Sequence, residues 1–246
     1  MKIYILGSGA MAKAMATGLK NSGFEIVLVS RAMLINSEFS NETYGTSYDI
    51  EGKNVILAFK PYALDEVSKL LKGKAQTCIS VLARTSLDTL KNEVNASSHA
   101  ICMPNLAAAH NASITPFLSH SSENESAKIK EILDGFGKAV QVYSKAEFDA
   151  ASVISGCAPA YLGLIAEALK DGAVQGGIKA NSANELVAGA FLSAAKMLEH
   201  THPALFKQSV CSPGGTTIEG VISLEKSAVR GAMLEAYKAS LDKQRS

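Results

Sequence analysis

The sequence predicts an α/β fold: a doubly wound, mostly parallel domain over residues 1–144, then an all-helical domain over residues 145–246. Three observations predict it. Short apolar runs alternate with helix-like stretches through the first half. A glycine turn ends the first apolar run and opens the first helical stretch. Beyond about Ser144 the two-residue alternation stops and only helical patterns follow.

Taken in order, Lys2–Leu6 reads as a strand and Ala10–Asn21 as an alanine-rich helix closed near Gly23. Glu25–Val29, Asn54–Phe59, Ala75–Val81, His99–Met103, Ser113–Leu118 and Ala139–Val142 are further strand candidates. Helices are expected at Ala63–Leu71, Ser86–Val94 and Asn124–Leu133. In the second half the helical stretches are Ala146–Ile154, Pro159–Gly177, Ser182–His200, Pro203–Val210 and Leu224–Lys243. Pro159 suits a helix start, where a missing N–H costs nothing. The long helices are rich in Ala and Gly, as in Ala188–Ala195, and small residues let helices approach closely. That pattern fits a self-contained bundle and a core continued across a subunit interface equally well.

Composition narrows the function classes. A chain of 246 residues that is 47% hydrophobic and 19% charged has ample material for a core. The balance of 24 Lys+Arg against 23 Asp+Glu gives a net charge of +1, too small to recruit nucleic acid or an anionic membrane. No run of 18 or more apolar residues is present, so no membrane partner is expected. The apolar run Ile3–Leu6 is too short for a secretory signal and is broken by glycines. Cys78, Cys102, Cys157 and Cys211 are far apart in sequence, which reads as free thiols in a reducing, cytoplasmic compartment. The five histidines lack metal-ligand spacing, and no metal is expected.

Two segments carry chemistry. Gly7-Ser8-Gly9-Ala10-Met11-Ala12 follows a strand and opens a helix, the GxGxxG/A arrangement in its required context. Gly7 permits the tight turn, Gly9 lets a pyrophosphate approach the backbone, and Ala12 lets helix and strand pack closely. The helix N-terminus adds free N–H groups and a positive dipole end. A dinucleotide-binding Rossmann domain follows from this. The second strand ends Val29-Ser30-Arg31, with no acid to accept from a ribose 2′-OH. Ser30 can donate to a phosphate and Arg31 can pair with its charge, so NADPH is the expected cofactor, with NADH a weaker alternative. Ala58-Phe59-Lys60-Pro61 ends the third apolar run, where ligands lie in such sheets.

The second segment is Ser212-Pro213-Gly214-Gly215-Thr216-Thr217, between two helical stretches. Thr216 and Glu219 have capping-box spacing, which starts a helix at Thr216. Its free N–H groups and the glycines suit a small carboxylate; a plain helix cap explains the same residues.

Taken together, these segments make the chain resemble the pyrroline-5-carboxylate reductases. Gly7–Ala12 with Ala58–Pro61, Ser155-Gly156-Cys157-Ala158-Pro159-Ala160-Tyr161, Met103-Pro104-Asn105 and the segment Ser212–Thr217 carry the likeness, in the family's order. The resemblance implies a Rossmann domain followed by a helical domain that dimerises by interlocking helices. It implies reduction of 1-pyrroline-5-carboxylate to L-proline with NADPH or NADH. Leu6, Gly7, Ser8, Gly9, Ala10, Met11 and Ser30, with Ala58, Phe59, Lys60 and Pro61, would then contact the dinucleotide. Ser212, Gly214, Gly215 and Thr216 would meet the substrate, and the Thr217 hydroxyl would face the ring nitrogen.

The chain departs from the family at Leu82-Ala83-Arg84, where an Ala-Ala-Gly turn is usual. Ile101-Cys102 replaces an arginine ahead of Met103, and the stretch Glu199–His202 is shortened. Two other readings compete. A β-hydroxyacid dehydrogenase would need a lysine acid in a GxxxKxxxN-like stretch, of which Gly189–Lys196 is a partial echo. An NADPH-binding sensor without catalysis draws its support from the Leu82–Arg84 turn.

Overall fold

The computed structural model describes residues 1–35 and 37–245. The strands are β1 (Lys2–Leu6), β2 (Glu25–Ser30), β3 (Ser40–Thr43), β4 (Tyr48–Asp49), β5 (Asn54–Leu57), β6 (Leu71–Lys72), β7 (Ala75–Ser80), β8 (Ala96–Cys102), β9 (Ser113–Leu118) and β10 (Gly137–Val142). Between them lie α1 (Ala10–Asn21), α2 (Leu64–Ser68), α3 (Leu87–Glu93) and α4 (Glu123–Asp134), and α5 (Lys145–Ser152) follows β10. The remaining helices are α6 (Ala158–Gln175), α7 (Ala180–Leu198), α8 (Pro203–Ser209), α9 (Thr216–Lys226) and α10 (Val229–Arg245).

Eight strands form one sheet in the order β10-β9-β8-β7-β5-β1-β2-β3, and β4 pairs with β6 apart from it. Neighbours are parallel except β8 and β9. The chain runs outward from β1 through β2 to β3, then returns to β5 on the other side of β1. The reversal leaves a crevice beyond the C-terminal ends of β1 and β5, where such sheets bind ligands.

Two-residue alternation sends side chains to two cores. Ile3, Ile5, Leu28 and Ile56 pack beneath α1 and α4 with Met15, Leu19 and Ile129. Leu6, Val27, Val29 and Leu57 face the opposite layer with Val67, Leu90 and Phe148. Helix α1 comes very close to the turn Leu106–His110, because Gly18 has no side chain there: an added Cβ would collide with the Ala108 carbonyl oxygen and Phe136. Cys78 in β7 and Cys102 in β8 are buried free thiols, and burial pushes both thiols up; Cys157 and Cys211 are partly exposed.

Several expectations need correction. The helix expected at Ala63–Leu71 is a 3-10 turn at Pro61–Ala63, the short α2, and then a strand at Leu71. Polar β3 and two-residue β4 and β6 carry too little pattern to be read, yet they pair through the backbone. The single helix expected over Leu224–Lys243 is two, broken where Ala228 takes a left-handed backbone (φ 55°). A π turn at Val153–Cys157 joins α5 to α6.

By contacts the chain divides into two compact units, Met1–Gly156 and Cys157–Gln244. Helix α5 lies in the first, with Phe148 in the core against the sheet. Within the helical run Lys145–Gln175 an 18-residue stretch has a mean hydropathy of 1.4, and the run is by length and composition able to cross a membrane, which interrupted apolar runs in the sequence do not suggest. Its first third is committed to the sheet layer: Phe148, Asp149 and Val153 are buried, and Lys145 donates to both Asp149 carboxylate oxygens at 2.6 Å.

Candidate active site

The glycine turn is built as its spacing requires. Gly7 sits at φ 136°, its N–H donates to Val29 O at 2.8 Å, and an added Cβ would collide with the Ala58 carbonyl group. Ala58 N–H in turn donates to Leu6 O at 2.8 Å, tying the two loops together. Gly9 is the N-cap of α1, no side chain caps the helix, and nothing lies within 4 Å of where its Cβ would be. The first N–H groups of α1 therefore face open space with no intrahelical acceptor. Ala12 is fully buried between helix and sheet.

A cavity of about 860 Å³ opens over this turn, within the usual range for small-molecule sites. Gly7, Ser8, Gly9, Ala10, Met11, Ser30, Arg31, Ala58, Phe59 and Lys60 line it, together with Tyr44, Tyr62, Val81 and Leu106. The structure thus gathers ten of the predicted dinucleotide residues around one cleft. Leu6 is fully buried and does not line it; it supports the turn from below. Pro61 starts the 3-10 turn beyond Lys60 and borders a neighbouring groove of about 410 Å³ instead. The bare glycine cradle and uncapped helix end fit a pyrophosphate, so the residues present suit a dinucleotide.

At the end of β2 two details differ from expectation. Ser30 is buried, and its hydroxyl already donates to Ala32 O at 2.7 Å, which leaves no proton for a phosphate. Arg31 is mostly exposed but engaged: its Nη2 donates to Glu66 Oε2 at 2.7 Å. Hydrogen bonding to the Tyr44 side chain, and then the Glu66 charge, hold the guanidinium above its ordinary value. Sequence reasoning missed both partners, since α2 and the segment after β3 meet Arg31 only through the fold. Arg84, where the resembled family has glycine, adopts the left-handed backbone (φ 62°) that glycine favours.

The segments Met103–Asn105 and Ser155-Gly156 meet within the first unit. Asn105 Nδ2 donates to Ser155 O at 3.0 Å, in the π turn, while its Oδ1 accepts from Ala107 N at 3.0 Å. Asn105 thus satisfies a carbonyl in the π turn, where regular helical bonding is interrupted.

The Ser212–Thr217 loop lies in the second unit. Gly215 N–H donates to Ser212 O at 3.0 Å, Gly214 is left-handed (φ 66°), and α9 starts at Thr216. The N-cap is Gly215 and no side chain caps the helix. The expected capping box is therefore absent: Thr216 is already the first helical residue, so Glu219 falls one position too late. The first N–H groups of α9 are left for another acceptor, and Thr216 and Thr217 are exposed beside them. An added Cβ at 215 would meet the Ser212 hydroxyl, which would have to rotate aside, and would lie 3.2 Å from the Ser212 carbonyl oxygen.

Comparison with known proteins decides the family. The pyrroline-5-carboxylate reductase of Helicobacter pylori is 36% identical over 203 residues, covering 82% of this chain and 78% of that protein. This chain belongs to the pyrroline-5-carboxylate reductase family. Residues 145–246 match the pyrroline-5-carboxylate reductase dimerisation family, and residues 2–84 match the family described as NADP oxidoreductase coenzyme F420-dependent. The solved pyrroline-5-carboxylate reductase of Streptococcus pyogenes superimposes with a TM-score of 0.80 at 29% identity, covering 99% of this chain and 98% of that one. The Plasmodium falciparum structure with NADP bound shares the fold, with a TM-score of 0.83 at 22% identity over 99% of this chain and 97% of that one. Membership in this reductase family makes the chain an NADP-linked oxidoreductase, in preference to the sensor and β-hydroxyacid readings.

Proposed function

We propose that this chain reduces 1-pyrroline-5-carboxylate to L-proline with NADPH, the last step of proline biosynthesis. The observation that carries the reading is the presence, in one member of this family, of a glycine-lined cofactor cleft with no acid at the end of β2 and of the Ser212–Thr217 loop. Residues 1–144 are assigned to the cofactor. Residues 145–246 are assigned to substrate and to a homodimer in the cytoplasm, with no metal, nucleic acid or membrane partner.

In the cleft, the N–H groups of Ser8–Met11 would hold the pyrophosphate, with Gly7 giving the backbone its close approach, and Ala58–Lys60 form the opposite wall. Arg31 pairs with the 2′-phosphate. When bound, the nicotinamide supplies the hydride. The amides of Gly214, Thr216 and Thr217 hold the substrate carboxylate, the Gly215 N–H being taken by Ser212 O, and Thr217 orients the ring nitrogen by a hydrogen bond. Protonation of the imine nitrogen beforehand makes its carbon the better electrophile, and that proton stays on the product amine. Little acid–base machinery is then needed, and the part left to the chain's own residues is to bind and orient the ring. The test is purified chain incubated with NADPH and pyrroline-5-carboxylate, followed by loss of NADPH absorbance and appearance of proline. Substrate-dependent oxidation with matching proline is expected; none, in folded protein that binds NADPH, overturns the reading.

A further inference from the structure

The geometry points to Glu66 as a cofactor-selectivity residue: its carboxylate occupies the Arg31 edge that a 2′-phosphate would use, and weakens NADPH binding relative to NADH. The inference rests on the cofactor reading above and concerns a residue outside the cleft lining.

Arg31 is the cation at the end of β2, and the buried Ser30 hydroxyl beside it is committed to Ala32 O. Glu66, on α2, reaches across to Arg31 at 2.7 Å. A ligand phosphate on Arg31 has two consequences. It must share the guanidinium with Glu66, and it brings a second anion close to that carboxylate. The guanidinium has donors enough for both partners, so the main cost is like-charge repulsion rather than loss of a hydrogen bond. NADH, with a neutral 2′-OH, meets no such repulsion, and its hydroxyl can donate toward the same carboxylate. Glu66 thereby brings to the Arg31 side chain, from α2, an acid of the kind that NAD-specific sheets carry in sequence at the end of the second strand.

Glu66→Gln separates the two roles of this side chain. The amide oxygen still accepts from Arg31 and keeps it oriented, while the charge is gone. Adenosine 2′,5′-bisphosphate and adenosine 5′-monophosphate report on the site without turnover, by calorimetry on the full chain at low and at raised salt. Glu66→Gln is expected to tighten the bisphosphate about two- to fivefold, the scale of one exposed charge pair. The monophosphate should bind as before, and the gain should shrink with salt. Unchanged or weaker bisphosphate binding in Glu66→Gln, or equal tightening of both ligands, overturns the role of Glu66. A wild-type chain that binds the two ligands equally overturns the 2′-phosphate site itself, and this inference with it.

Discussion

At the scale of single residues, Arg31 and Thr217 carry the most weight. An exposed arginine–phosphate contact is worth on the order of 1–3 kcal/mol. Arg31→Ala should therefore raise the KM for NADPH about tenfold and leave NADH nearly unchanged; equal effects on both would refute the contact. Thr217 cannot act as a strong acid near neutral pH, so its role is one positioned hydrogen bond. Thr217→Ala should lower kcat/KM by about tenfold to a thousandfold, between an ordinary hydrogen bond and a positioned active-site donor. Thr217→Ser should restore much of it. The thermal midpoint should hold, because the N-cap of α9 is Gly215 and not a threonine. Normal turnover in Thr217→Ala would remove the residue from the site. Gly7 was legible in the sequence because the backbone demands it, with φ at 136°, and the end of β2 because no acid stands there. The Arg31 partners were not legible, because Tyr44 and Glu66 have no local pattern relating them to β2. The capping-box spacing misled because it cannot tell an N-cap threonine from one a position further in.

At the scale of elements, alternation exposed the central strands, whose side chains divide cleanly between two cores. Edge and accessory strands stayed hidden, since Ser40–Thr43 is polar and β4 and β6 have two residues each. Their pairing is a property of the backbone, and no side-chain period marks it. The contact between α1 and the turn Leu106–His110 is likewise set by an absence, that of a Cβ on Gly18. In an exposed helix interior, Gly→Ala stabilises by about 1 kcal/mol. Here the sign should reverse, because backbone must move to admit the methyl group. Overpacking of this kind costs about 1–3 kcal/mol, so Gly18→Ala should lower Tm by roughly 2–10 °C. A raised Tm would show that the two segments separate freely.

For the whole molecule, the second unit is distinguished by what its helices leave uncovered. No residue of α6 is buried, and Leu162, Leu164, Leu169, Leu186 and Leu192 on α6 and α7 stand exposed. Residues 145–246 match a dimerisation family, and the prediction is that a second copy covers this apolar surface. Sedimentation at micromolar concentration should show at least a dimer. Leu164→Asp with Leu192→Asp should weaken association tenfold or more, about 1.4 kcal/mol. A folded, active monomer in the unaltered chain would refute the assembly. The sequence could not choose between a self-contained bundle and a shared core, because alanine-rich helices serve both.

The four cysteines turn this architecture into a clock. Cys78 and Cys102 lie on central strands with their sulfurs sealed and their thiols held protonated by burial. An alkylating reagent reaches them only during openings that tear the sheet apart. In a native sample treated with excess iodoacetamide, intact mass should therefore plateau at no more than two adducts, on Cys157 and Cys211. The slow arrival of the third and fourth then times the opening of the sheet in unmodified protein, without denaturant or an engineered label. Fast modification of Cys78 would mean that the sheet breathes on the timescale of the reagent.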